Sequence, residues 1–336
     1  MADGARAARP ALTSDPAERA GGVLTVDLDA AAANYRRLCA ETGDTTCGVV
    51  VKADAYGLGV ERLAPTFARA GARDFFVAFI DEALNLRRIL DDACVPDARI
   101  AVLNGPLPGT EGDLLAHAIT PVLNSLGDLD RWTAASRARE RRLPAMLHVD
   151  TGMSRLGLPE DELAALAEDP DRLAAVRLDA IMSHLANAPD HANPENARQL
   201  ERLRHALSVL PAAPVSFANS SGIFLGPAYR FDLARPGVAL YGVNPTPGQA
   251  NPMHNVVTVR ARVLQVRQID APRGVGYGST YRAAGPTRIA TLGAGYADGV
   301  LRSLSNSARV AVNGQLLPLV GRVSMDSITV DASALP

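Results

Sequence analysis

A chain of 336 residues, 47% hydrophobic and 21% charged, carries enough apolar material for a large packed core, and its length suits one α/β barrel of about 250 residues plus a smaller domain. The net charge of −2 leaves no electrostatic footprint for nucleic acid or an anionic membrane, so neither is expected as a partner.

Residues 1–22, "MADGARAARPALTSDPAERAGG", hold no apolar stretch long enough for a signal-peptide core and read as a flexible N-terminal tail. No later run approaches the ~20 apolar residues of a membrane helix. The three cysteines, Cys39, Cys47 and Cys94, form no CxxC pair or zinc pattern. They read as reduced thiols; no metal site is expected, and a cytoplasmic location is.

From 23 to 245 short β-rich runs alternate with helical patterns, as parallel strands joined by crossover helices do. Eight runs qualify: "CGVVVK" (47–52), "DFFVAF" (74–79), "RIAVL" (99–103), "ITPVL" (119–123), "AMLHV" (145–149), "LDAIMSH" (178–184), "PVSFA" (214–218) and a weaker "FDLA" (231–234). Segments such as "VERLAPTFARAGA" and "PENARQLERLRHALSVL" lie between them with apolar positions at helical spacing. A (β/α)₈ TIM-type barrel is expected, with an open sheet as the alternative. After 245 the texture changes. "NPTPGQANP" is turn-rich, "VVTVRARVLQVRQI" alternates as an antiparallel strand does, and "RIATL", "RVAVNGQLLPLV" and "SITVD" follow with almost no helix. This predicts a separate mostly-β domain over 246–336.

In a barrel, chemistry collects at the C-terminal ends of the strands, and phosphate commonly binds after strands seven and eight. Lys52 ends the first strand and "DTGMSRLG" (150–157) follows the fifth. His184 ends the sixth, "NSSG" (219–222) follows the seventh and "RPG" (235–237) the eighth. Ser220 and the backbone near Gly237 offer donors to a phosphate, facing an amine. That pairing suggests pyridoxal phosphate, whose aldehyde needs a lysine and whose phosphate needs N–H and hydroxyl groups.

Seven motifs carry a family resemblance: "VVKADAYGLG", "HVDTGMSRLGL", "ANSSG", "RPGVALYG", "VGYGSTY", "LGAGYADG" and "VGRVSMD". Their order, from residue 50 to about 326, is similar to that of the alanine racemases, fold-type III pyridoxal-phosphate enzymes. The resemblance implies interconversion of L- and D-alanine, supply of D-alanine for peptidoglycan, and a homodimer with active sites shared between subunits. It implies that Lys52 carries the cofactor and serves as one of two acid/base groups, Tyr277 from the other subunit being the second. Racemisation needs proton exchange on both faces of one planar carbon, so one base is insufficient. Phenol is a weak base at its reference pKa of about 10, and a cationic neighbourhood from Arg155 and His184 is expected to help it.

The same resemblance assigns Tyr56 to the phosphate, Arg155 to the phenolic oxygen and the substrate carboxylate, and His184 to a network with Arg235. Arg235 is assigned to the pyridine nitrogen, toward which an arginine can only donate. Asn219, Ser220, Gly237 and Val238 are further cofactor contacts, and Met325 and Tyr296 are implied near the substrate. His148 departs from the family pattern, which often has a lysine there, frequently carbamylated, buttressing the arginine that Arg155 matches. Relatives continue for several strands beyond the position of Pro336 and carry another phosphate-binding tyrosine, so the β domain reads as truncated at its C-terminal end. A serine or broad-specificity racemase and a non-catalytic pyridoxal-phosphate-binding protein are the alternatives.

Overall fold

The structure, a computed structural model, describes residues 14–270 and 272–336. They fall into two compact units, Val26–Val257 and a second made of the described residues up to Thr25 with Thr258–Pro336. The tail expected over 1–22 lies outside the described residues as far as 13; beyond it Pro16–Arg19 form one helical turn and Gly22–Val26 a strand paired with Val257–Ala261. Where the sequence suggests a division at 245, the first unit runs on to Val257. Met253 and Val256 are buried in its core, and Asn34 exchanges hydrogen bonds with the backbone of His254.

The first unit is the barrel. Seven neighbouring parallel strands run from Val49–Val50 through Asp74–Val77, Arg99–Val102, Ile119–Leu123, Leu143–His148 and Val176–Met182 to Val215–Ser216. The eighth, Leu233–Ala234, pairs in parallel with Thr46–Cys47, the first half of strand one. On its other side Asp232 N–H donates to Val215 O at 3.0 Å and Arg235 N–H to Ala218 O at 2.8 Å, so backbone bonds close the ring.

Period-two alternation sorts the strand residues. Val50, Phe76, Ala101, Val122, Met146, Ala180 and Leu233 form one cluster inside the ring. Their neighbours Val49, Phe75, Ile100, Leu123, Leu147 and Ile181 join the larger core under the helices. Gly48 makes room for this packing, since a Cβ there would lie 2.8 Å from the Phe76 ring. Helix Val60–Arg69 shows the outer layer's logic, burying Val60, Leu63, Ala64 and Phe67 on one stripe.

The second unit is antiparallel. Thr287–Leu292 lies between Val263–Ile269 and Ile328–Asp331, and Arg273–Val275 with Tyr281–Ala283 and Arg309–Val312 with Gln315–Pro318 form hairpins. Asn313 and Gly314 both have positive φ, 49° and 81°, as the two-residue turn of a hairpin matched to strand twist requires. Among the described residues no helix is long and apolar enough to cross a membrane, and Cys39, Cys47 and Cys94 are free thiols.

Candidate active site

A cavity of about 630 Å³ opens among the C-terminal ends of the barrel strands. Every barrel residue singled out in the sequence lines it: Lys52, Tyr56, Arg155, His184, Asn219, Ser220, Arg235, Gly237 and Val238, with His148. Tyr277, Tyr296 and Met325 belong to the β unit, where they are 70%, 42% and 59% exposed.

Lys52 follows the first strand, and the backbone then reverses its handedness. Ala53, Asp54, Ala55 and Tyr56 have φ of 52°, 54°, 53° and 60°, a left-handed turn without a glycine. Each such L-residue costs roughly 1–2 kcal/mol, so the turn must be held. Ala55 N–H donates to Val51 O at 2.9 Å, Val60 N–H to Asp54 Oδ1 at 2.8 Å, and Ala53 N–H to Glu82 Oε1 at 2.6 Å. Burial lowers the Lys52 pKa, and the nearby Arg155 charge lowers it further against an opposing pull from Glu82.

The same cavity is lined by a cradle. Ser220 Oγ accepts from Gly237 N–H at 2.9 Å and Ala239 N–H at 3.2 Å, which leaves its own proton to donate. The Tyr56 phenol leans over Gly237 so closely that a Cβ there would lie 2.2 Å from its oxygen. Tyr56 packs on Tyr241 at 4.7 Å between ring centres, and Tyr241 donates to Val50 O at 2.8 Å. The hydroxyl, phenol and close-approached backbone suit a phosphate ester, and the Lys52 amine lining the same cavity suits an aldehyde. The residues present therefore fit pyridoxal phosphate.

Arg235 is buried, 3% exposed, beneath this cavity. Its guanidinium donates to Ser216 Oγ, to Ser183 O at 2.7 Å and to His184 Nδ1 at 3.4 Å. Burial pulls its pKa down to about 10, so it stays charged. His184 is held well below its ordinary value by burial and then by Arg235. It is a neutral acceptor at Nδ1, so the positive charge expected from it is supplied instead by the arginines. The Arg155 loop is shaped by Asp150, whose carboxylate accepts from the N–H groups of Gly152, Met153 and Ser154.

Within the β unit the remaining motifs meet one another. Tyr296 N–H donates to Ser324 O at 3.0 Å and Ala297 N–H to Met325 O at 2.8 Å. Gly295 permits this approach, since a Cβ there would lie 2.4 Å from Met325 O. Gly321 packs against the backbone of Val275, two residues before Tyr277, at 2.9 Å from where its Cβ would be.

Three features add to the motif series. Lys52 is the only lysine among the 34 basic Lys and Arg residues, a count that needs no structure. Asn124 and Glu82 read as ordinary residues at the head of a helix, and only their hydrogen bonds tie them to the cavity wall.

Likeness to known proteins runs through both units. The family model described as "Alanine racemase, N-terminal domain" matches residues 26–245, and "Alanine racemase, C-terminal domain" matches 256–336. The alanine racemase of Brucella canis is 48% identical over 330 residues, covering 94% of this chain and 82% of that protein. That of Rhodospirillum rubrum is 49% identical over 320 residues, covering 95% and 84%. The crystal structure of alanine racemase from Bartonella henselae with covalently bound pyridoxal phosphate matches with a TM-score of 0.89 and 45% identity, over 94% of this chain and 87% of that one. With both domain models matched in order on a barrel and a β unit, the chain belongs to the alanine racemase family.

Proposed function

We propose that Lys52 and Tyr277 exchange the α-proton of alanine on opposite faces of the carbon. The chain is a pyridoxal-phosphate-dependent racemase that interconverts L- and D-alanine. The observation that carries the assignment of roles is the chain's only lysine, its pKa lowered, lining one cavity with the Ser220, Gly237 and Tyr56 cradle.

When bound, pyridoxal phosphate withdraws electrons from the substrate's α-carbon and so acidifies its C–H bond. Ser220, Tyr56 and the backbone at Gly237 would hold the phosphate, with Asn219 and Val238 closing its surroundings. Arg235 can only donate, so it would hold the cofactor's ring nitrogen without giving it a proton, which would temper the electron withdrawal and favour return of the proton to the same carbon over side reactions. Arg155 offers a forked cation to the substrate carboxylate. Lys52, its ammonium destabilised by burial and by Arg155, would give up and take back a proton more readily than a solvated lysine.

The second proton donor and acceptor is Tyr277, reaching the cavity of a second copy, with Met325 and Tyr296 at the same substrate. Their exposure and the convergence of their segments in the β unit support this twofold arrangement. A homodimer supplying D-alanine for peptidoglycan in the cytoplasm is the setting this reading implies. Circular dichroism of L-alanine incubated with the holoenzyme, repeated with L-serine, tests it. Loss of optical activity with alanine at much the greater rate is expected. Equal rates would make this a broad racemase, and no change with either would leave only cofactor binding.

A further inference from the structure

The turn that carries Lys52 and Tyr56 is held by hydrogen bonds that close within the turn and its flanks, from Ala55, Leu58, Gly59 and Val60 N–H, and by one from outside it. That one is different. Glu82 Oε1 accepts from Ala53 N–H at 2.6 Å, while its Oε2 accepts from Ala78 N–H at 2.7 Å and Phe79 N–H at 3.1 Å. Ala78 and Phe79 follow the second strand, and Glu82 sits in the first turn of the next helix, Ile80–Asp92. One carboxylate thus spans the ends of two neighbouring strands, with all its hydrogen bonds to backbone N–H groups. Among the described residues it makes no ion pair.

We infer that Glu82 is a positioning residue: one oxygen holds the left-handed turn bearing Lys52 and Tyr56, and the other anchors that turn to the end of the second strand. This rests on the reading of Lys52 as the cofactor-bearing amine. Because the turn is intrinsically unfavourable, its release would let Lys52 and the Tyr56 phenol drift apart from the geometry that serves one ligand at both ends. The charge on Glu82 has a second consequence. The charges of Arg155, in the loop after the fifth strand, and of Glu82, in this helix, act on Lys52, whose own charge acts on His184 just after the sixth strand; Glu82 alone favours the protonated lysine.

Two substitutions separate the hydrogen bonds from the charge. In Glu82→Gln the amide offers one acceptor oxygen, and its NH₂ opposes an N–H donor, so one anchor is lost together with the charge. In Glu82→Asp the charge stays but the side chain is one methylene too short to reach both strand ends. The full chain is titrated with pyridoxal phosphate, and binding is read from visible absorbance. The amine is trapped with borohydride across a pH series; with a single lysine, the label reports Lys52 or the N-terminus.

Both variants are expected to bind cofactor about ten- to a hundredfold more weakly. In Glu82→Gln the trapping midpoint should also move to lower pH, whereas Glu82→Asp should keep a midpoint near that of the wild type. Wild-type affinity and midpoint in Glu82→Gln would overturn the inference. So would lowered thermal stability in both variants with affinity and midpoint unchanged, which is the signature of a merely structural residue. Absence of label on Lys52 in the wild type would instead remove the reading beneath it.

Discussion

Nδ1 of His148 lies 2.7 Å from Oδ1 of Asn124, and this contact fixes which ring nitrogen carries the proton. The Asn124 amide nitrogen is committed to Leu103 O at 3.0 Å and Val122 O at 3.2 Å, so its oxygen faces the ring and only an Nδ1–H can serve it. Nε2 is left as a bare lone pair on a side chain that lines the cavity. An uncharged acceptor stands where the family resemblance implied an anionic buttress for Arg155.

This pair makes stability depend on pH in a stated direction. Burial, then the charge of Arg235, lowers the His148 pKa to about 4 from 6.5, with Asp150 opposing and Arg155 adding to the fall. The unfolded chain therefore takes up this proton first as pH falls. The contribution is complete above pH 6.5 and is lost between 6.5 and 4, amounting to about 3 kcal/mol. Urea unfolding at pH 7 and pH 4.5 should show a smaller loss in His148→Gln than in the wild type, with His184 titrating in both and cancelling. An equal loss would mean that the ring takes up its proton as readily in the folded chain as in the unfolded one.

Gly237→Ala tests the cradle. Gly237 has φ −125°, outside the left-handed region, so the methyl's collision with the Tyr56 oxygen decides the outcome. Cofactor affinity should fall about ten- to a hundredfold. Tyr56→Phe removes the atom that is struck, so the double variant should lose less than the sum of the two single losses. Additive losses would place Tyr56 away from the site of the clash.

Arg235→Lys should destabilise the cofactor-free protein by about 1–3 kcal/mol or more, because an ammonium cannot reproduce the planar fork to Ser183, Ser216 and His184. A change below about 0.5 kcal/mol in urea unfolding would show that the fork matters only to the ligand.

Tyr277→Phe should keep the visible absorbance of the bound cofactor and lower racemisation about 10²–10⁴-fold. Sharing of the site is tested by refolding Lys52→Ala and Tyr277→Phe chains together in equal amounts. About half the dimers would be mixed, and in each mixed dimer one site collects both lesions while the other has neither. Activity should return to about a quarter of wild type. If Tyr277 serves its own chain's lysine, every site carries a lesion and none returns.

The barrel was legible because its strands are apolar runs of fixed length set between helical stripes, so Phe75 and Phe76 announce a strand buried on both faces. The eighth strand was faint for a physical reason. Only Leu233 and Ala234 pair as strand before Arg235 turns to the cavity wall and Pro236, with no N–H, interrupts the ladder. The left-handed turn left no trace in composition, since Ala-Asp-Ala-Tyr reads as a helix and the glycines that signal positive φ come only at Gly57 and Gly59. Glu82 and Asn124 were invisible for a related reason. Their distant partners, the Ala53 N–H and the His148 ring, are brought near by pairing of neighbouring strands, and neither spacing nor hydropathy encodes that.

The reversed turn also inverts an ordinary rule of substitution. In a right-handed helix Ala→Gly costs about 1 kcal/mol. At Ala53 or Ala55, where φ is near +53°, the same change relieves the Cβ and should leave stability unchanged or higher by about 1 kcal/mol. A D-residue occupies this region as comfortably as an L-residue occupies its mirror image. Chemical ligation of D-alanine at position 53 would therefore relax the backbone beside Lys52, so the turn would accommodate the very enantiomer that the enzyme makes from L-alanine.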